Sequence, residues 1–389
     1  MKKQTIAIHT PYDRPDAYGA LALPVYNNVA FEFQDAQTMS DAFCNRIKVP
    51  DYARMTNPTV TNFEQRVKAI TGAAHVTAFN SGMAAISNAL LAVSSQGKNI
   101  VTTRHLFGNS LALVSNTLLR FGVKARLRDL TDLEVVEQAV DENTCCVYLE
   151  IITNPQLEVA DLAAIAEIAH RKGVPVIADS TVIPFTETSL KDLGVDIEVV
   201  SSTKYISGGG TSLGGLIIDY GTFPTINQRV KYELLVNLGA YMTPQVAYMQ
   251  TLGLETLDVR YQRQASDALW LAKALREVPG IKKVNYVGLE DNPYHELAQK
   301  QFGPTAGAML TIDLESKEAC FKFMNSLKLI HRATNLFDSR TLAIHPATTI
   351  FGLFPERQLE QMDVRQTTIR FSIGLEAPED LLQDIVQAL

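Results

Sequence analysis

Between residues 61 and 220, short β-branched runs alternate with apolar stretches of helical spacing, and this alternation limits the fold more than any other feature. A helix is expected over 62–70 and a strand over 74–79, after which Asn80-Ser81-Gly82-Met83-Ala84-Ala85-Ile86 opens an apolar helix on small residues. Further strands are expected at 99–103, 147–152 and 174–178, with a helix over 162–172 completing a βαβ unit. Strands joined through helices run parallel and are covered on both faces. The expectation is therefore an α/β fold, a mostly parallel sheet with its ligand site at the carboxyl ends of the strands.

The rest of the chain reads differently. Residues 1–60 are rich in Pro, Asn, Tyr and Asp and have little sustained periodicity, as in a tail or an arm that packs on something else. Residues 246–278 read as one long connecting helix with Trp270 in the core. Beyond it, strands near 284–287 and 308–314 and helices near 317–327 and 378–388 indicate a smaller α+β domain. The expected division is 1–60, 61–245 and 246–389. With 389 residues, 46% of them hydrophobic, the chain is long enough for more than one domain. A net charge of −7 argues against nucleic acid or an anionic membrane as partner. The four cysteines show no metal spacing, so no metal is expected, and Cys145-Cys146 reads as a pair of reduced thiols in a buried strand. The start, Met1-Lys2-Lys3-Gln4-Thr5, lacks the apolar run of a signal peptide, and no apolar segment has the length of a membrane span, which points to a cytoplasmic protein.

Two stretches carry chemistry. In 199–210 a β-branched run ends in Ser201-Ser202-Thr203-Lys204-Tyr205 and then in glycines, an order that delivers one lysine to an opening in the fold beside hydroxyl donors. Such a lysine can condense with an aldehyde as a Schiff base, although most lysines at strand ends are merely solvated. The second stretch, Val174-Pro175-Val176-Ile177-Ala178-Asp179-Ser180-Thr181, is an apolar strand ending in an acid, 25 positions before Lys204. An acid there is commonly a turn or cap residue. Paired with the lysine it also matches the needs of pyridoxal phosphate (PLP), whose ring nitrogen stays protonated beside a carboxylate.

Asp179-Ser180-Thr181 followed by Ser201-Ser202-Thr203-Lys204-Tyr205 resembles the Cys/Met-metabolism family of PLP enzymes over nearly the whole chain. The resemblance implies a type I, aspartate aminotransferase-like fold with PLP on Lys204 and Asp179 at its ring nitrogen. It further implies that the amides of Gly82 and Met83, with Ser81, Ser201 and Thr203, hold the phosphate, that Phe107 stacks on the ring, and that Asn154 meets the ring hydroxyl. Arg370, in the alternating run 367–376, and Asn335 would bind the substrate, Arg370 through its α-carboxylate. Tyr52 and Arg54, in Tyr52-Ala53-Arg54-Met55-Thr56-Asn57-Pro58-Thr59, would reach the cofactor phosphate of a neighbouring subunit, which implies a dimer with shared sites and a homotetramer built from two such dimers.

Within the family, Asn335-Leu336-Phe337-Asp338-Ser339-Arg340-Thr341-Leu342-Ala343-Ile344-His345-Pro346 most resembles the O-acetylhomoserine sulfhydrylases, with Phe337 in place of the usual glycine. The glutamate that cystathionine enzymes tend to carry is replaced by Thr334. Ser180, Val182 and Phe351 are further departures from the pattern. Many members have tyrosine where Phe107 stands. Expelling a thiolate, whose conjugate acid has a pKa of about 8.5, gains from a nearby phenol, whereas a carboxylate of pKa roughly 4 leaves without one. The resemblance therefore implies γ-replacement of O-acetylhomoserine or O-succinylhomoserine by sulfide to give homocysteine. The alternatives are a methionine γ-lyase, a cystathionine γ-synthase or lyase, and, more remotely, a PLP-binding protein without turnover.

Overall fold

The computed structural model describes residues 1–10, 16 and 18–389; residues 11–15 and 17 of the expected arm lie outside the described residues. Seven strands form the larger sheet: β1 (His75–Phe79), β2 (Asn99–Thr102), β3 (Lys124–Leu127), β4 (Thr144–Glu150), β5 (Val176–Asp179), β6 (Ile197–Val200) and β7 (Gly215–Asp219). Their order is β1-β7-β6-β5-β4-β2-β3. Strands β2 to β6 pair in parallel, while β7 runs antiparallel to both β6 and β1. Strands β4 to β7 are almost continuously buried, as expected where helices cover both faces of a sheet. The weakly apolar β3, Lys-Ala-Arg-Leu, sits at the edge and has no clear signal in the sequence.

A second sheet combines β8 (Lys283–Asn285), β9 (Met309–Asp313), β10 (His331–Arg332), β11 (Leu342–Ile344) and β12 (Thr368–Ser372) in the order β10-β11-β12-β9-β8. The helix Lys317–Ser326 packs on β12, and Pro378–Ala388 packs on that helix and on Leu257–Leu275. No helix among the described residues is long and apolar enough to cross a membrane. All four cysteines are free; Cys146 is buried and Cys145 partly so.

Two sequence expectations are corrected. The single helix over 246–278 is two, Pro244–Glu255 and Leu257–Leu275, broken at Thr256. The Gly253 carbonyl at the break accepts from Arg260 Nη2 at 2.6 Å, and a Cβ on Gly253 would stand 1.9 Å from the Ile206 carbonyl oxygen. Close approach to the segment after Lys204 thus fixes that glycine, and the guanidinium competes for the carbonyl that would continue the helix. Trp270 is 40% exposed and is not part of the core. The N-terminal 60 residues also contain regular structure: the helix Lys3–His9 docks on its own chain through Lys3 Nζ, which donates to the Phe185 and Thr188 carbonyls at 2.7 and 2.9 Å.

Candidate active site

The carboxyl ends of the parallel strands open into a cavity of about 960 Å³, closed on the far side by residues 349–358 and by Arg370 of the second sheet. Asp179 ends β5 and Glu150 ends β4, directly opposite each other in the strand register. The backbone then turns out of β6 through Ser201 to Lys204. That turn is tied to β5 by Thr181 Oγ1, which accepts the Ser201 amide at 2.8 Å. Lys204 Nζ donates to Asn335 Oδ1 at 2.9 Å. Burial, with Arg370 adding to it and Asp179 opposing, lowers Lys204 to about 8, so a useful share of its amine is unprotonated near neutrality. Asp179 accepts the Thr181 amide at 2.9 Å. Burial raises its pKa, against Thr181 and Lys204, which both favour the ionised form.

Gly82 begins the helix Gly82–Val93, and Ser81 caps it by accepting the Ala84 amide at 3.1 Å. The amides of Gly82 and Met83 lie in the first turn, where the helix itself provides no acceptor and its dipole favours an anion. A Cβ on Gly82 would stand 2.7 Å from Ser201 Cβ, so glycine is what lets the helix start and the lysine turn meet around one small space. Ser201 and Thr203 line the cavity. The Thr203 hydroxyl is already committed, donating to the Gly214 carbonyl at 3.2 Å and accepting its amide at 3.0 Å.

Arg370 reaches the cavity from β12 and is 2% exposed. It donates from Nη1 to Asn154 Oδ1 at 3.1 Å and from Nη2 to the Asn335 carbonyl at 3.3 Å, while its buried Nε has no partner among the described residues. Burial brings its pKa down to about 9. A buried guanidinium held only by neutral acceptors is unsatisfied until an anion arrives. Phe107, in the loop after β2, lines the wall, and its amide donates to Glu150 Oε1 at 2.6 Å.

Phe337 departs from the family pattern in residue type while keeping a backbone conformation that glycine adopts readily. It takes up φ +55°, the conformation open to glycine, and its buried ring stacks on Tyr205 at 4.0 Å with the planes 4° apart. The left-handed conformation costs about 1–2 kcal/mol in a residue with a Cβ, and the stacking and burial offset it. Phe351 is fully buried and packs 5.8 Å from Phe354.

One chain thus brings together Ser81, Gly82, Met83, Phe107, Asn154, Asp179, Ser201, Thr203, Lys204 and Arg370, with Asn335 touching the lysine. Tyr52 and Arg54 stand outside the cavity. Tyr52 is 40% exposed, and Arg54 lies with its guanidinium 5.5 Å from that ring while donating to the Val236 carbonyl. Glu150, Thr181 and the 349–358 wall are missed by the sequence reading. The rule that selects Asp179, an apolar strand closing on an acid, would have found Glu150 as well.

The donor set fits PLP: a nucleophilic lysine, a buried carboxylate, free helix amides in a cradle with no room for a Cβ, and an unsatisfied guanidinium. The sequence profile of the Cys/Met metabolism PLP-dependent enzymes matches residues 4–389. The chain belongs to that family. It is a PLP-dependent enzyme of the type I fold. A solved structure from Campylobacter jejuni, provisionally named an O-acetylhomoserine (thiol)-lyase and carrying N'-pyridoxyl-lysine-5'-monophosphate, is 33% identical with a TM-score of 0.96, covering 100% of this chain and 99% of its own. The O-acetylhomoserine sulfhydrylase of the methionine biosynthetic pathway of Wolinella succinogenes is 44% identical with a TM-score of 0.77, over 86% of this chain and 96% of its own. The L-methionine γ-lyase of Fusobacterium nucleatum is 36% identical over 100% of this chain and 99% of its own.

Proposed function

We propose that the chain catalyses γ-replacement on an O-acylhomoserine, with sulfide as nucleophile and homocysteine as product, in methionine biosynthesis. When bound, PLP supplies an electron-withdrawing ring that stabilises carbanions beside it. Lys204 anchors the cofactor and, once released, its amine takes and returns protons at substrate Cα and Cβ. Asp179 would hold the ring-nitrogen proton, Asn154 would meet the ring hydroxyl and Phe107 would stack on the ring. The amides of Gly82 and Met83, with Ser81 and Ser201, would hold the phosphate, and Thr203, its hydroxyl engaged by Gly214, would line that cradle. Arg370, oriented by Asn335 and Asn154, binds the α-carboxylate. The Cγ–O bond then breaks with its electron pair leaving on the carboxylate, and hydrosulfide forms the new bond at Cγ.

Phe107 carries the choice of reaction. The cavity wall beside Lys204 presents a ring with no proton to give, which suits a carboxylate leaving group better than a thiolate. Methionine γ-lyase is a second reading, supported by the similarity to the Fusobacterium enzyme. Pure protein with O-acetylhomoserine or O-succinylhomoserine plus sulfide, beside methionine alone, separates the two. Homocysteine from an ester, with methionine inert, is expected; rapid α-ketobutyrate from methionine would replace this reading with the lyase. We further infer a cytoplasmic homotetramer, with residues 1–60 as an arm toward a neighbouring subunit, 61–245 as the PLP-binding domain and 246–389 as the C-terminal domain.

A further inference from the structure

Two carboxyl groups end neighbouring strands in this cavity, and only Asp179 has a place in the reading above. Glu150 stands opposite it in register, is 7% exposed and lines the same cavity. Its Oε1 accepts the Phe107 amide at 2.6 Å, and the Asn154 amide faces the same carboxyl closely enough to favour its charged form. Those two amides belong to the loop after β2 and the loop after β4. One carboxyl therefore holds the loop that presents the stacking ring and sits against the loop that presents the asparagine facing the ring hydroxyl.

Two adjacent buried carboxyls do not both ionise readily, since each negative charge disfavours the other. Their surroundings divide the roles. Asp179 has the Thr181 amide and hydroxyl as donors and Lys204 within electrostatic range, all of which favour its charged form. Glu150 has its two backbone amides but no cation that acts on it, and burial followed by repulsion from Asp179 raises it to about 8. Pairs of acids driven apart in this way are how one site keeps one carboxyl charged and another neutral.

We propose that Glu150 is the positioning residue for Phe107 and Asn154, working as a neutral carboxylic acid beside the ionised Asp179. The proposal rests on the PLP reading of the cavity. Neutrality leaves the charge balance around the cofactor to Asp179 and Lys204, while the carboxyl sets the ring and the asparagine relative to the cofactor plane. Glu150 touches neither substrate nor reacting atoms in this role.

The test uses the cofactor-loaded enzyme with two variants, Glu150→Gln and Glu150→Ala. The first readout is the pH midpoint of the visible absorbance of the lysine-bound cofactor, which needs no turnover. An ionised Glu150 would stabilise the protonated, cationic form and raise that midpoint, so removing its charge would lower it. A neutral Glu150 predicts the same midpoint in Glu150→Gln as in the parent; a fall of about one unit or more would overturn the proposal. The second readout is kinetic. Glu150→Ala is expected to lose about 10- to 100-fold in kcat with a smaller change in KM, the cost of misplaced groups, and Glu150→Gln to recover at least about tenfold of that loss. Parent-like kcat in Glu150→Ala would equally overturn it. Loss of the absorbance band in the parent enzyme would instead count against the PLP reading itself, so the two failures are distinguishable.

Discussion

At the scale of single residues, Lys204 shows how burial does chemical work. A solvated lysine near neutrality is almost wholly protonated and a poor nucleophile. Here burial, with Arg370 beside it, brings the amine to about 8, and Asn335 Oδ1 holds it in place. The capture of PLP by cofactor-free protein should follow this ionisation. The amine must be unprotonated to attack the aldehyde, so the capture rate is expected to rise about tenfold per pH unit below 8 and to level off above it, as a group titrating there requires. Stopped-flow absorbance from pH 6 to 9.5 measures this. A rate still climbing through pH 9.5 would mean that Lys204 keeps an ordinary amine, and Lys204→Ala should show no absorbance of lysine-bound cofactor at any pH. Arg370 makes the complementary case: its run of alternating apolar residues marks it as buried, but only the structure shows that its Nε has no partner among the described residues.

Secondary-structure elements explain what could be read from the sequence and what could not. The strands bearing Asp179 and leading to Lys204 are legible because burial on both faces makes them continuous apolar runs bounded by turn residues. The edge strand β3 is half-buried and charged at two of four positions, so it leaves no such trace. The break at Thr256 is equally silent, because the packing of Gly253 on the distant Ile206, with Arg260 turned back onto the Gly253 carbonyl, creates it in the folded chain. The site follows the same division. Glycine at 82 is visible in the sequence, whereas its reason, the approach of the helix start to Ser201, is a tertiary fact. Gly82→Ala should push the helix start away from the lysine turn. Overpacking of this kind costs about 1–3 kcal/mol. If it falls on the bound state, the dissociation constant for PLP rises about 5- to 150-fold. Equilibrium dialysis of the variant, beside its thermal midpoint, checks this; parent-like affinity with an unchanged midpoint would show that Gly82 does not shape the phosphate cradle.

At the scale of the whole molecule, the electrostatics of one chain are incomplete for the proposed cofactor. The cavity wall has two cations, Lys204 and Arg370, and the reading above assigns one to the cofactor aldehyde and the other to the substrate carboxylate. Among the described residues the phosphate cradle then has amides and hydroxyls but no guanidinium, while Arg54, part-buried, lies outside the cavity. If Arg54 serves the cradle of a second copy, each working site needs Lys204 from one chain and Arg54 from another. Arg54→Ala and Lys204→Ala should each be inactive alone, because every site in a uniform assembly then lacks one group. Dissociating and mixing them in equal amounts makes half of the reassorted dimers mixed, and each mixed dimer carries one site with both groups intact. About a quarter of the parent activity should therefore return, the value that random pairing across a two-fold axis requires. If each chain instead completes its own site, no pairing unites the two groups in one site and mixing restores nothing. Recovery near a quarter would place Arg54 in the partner's site; its absence, with reassortment verified by mass, would make each chain's site its own.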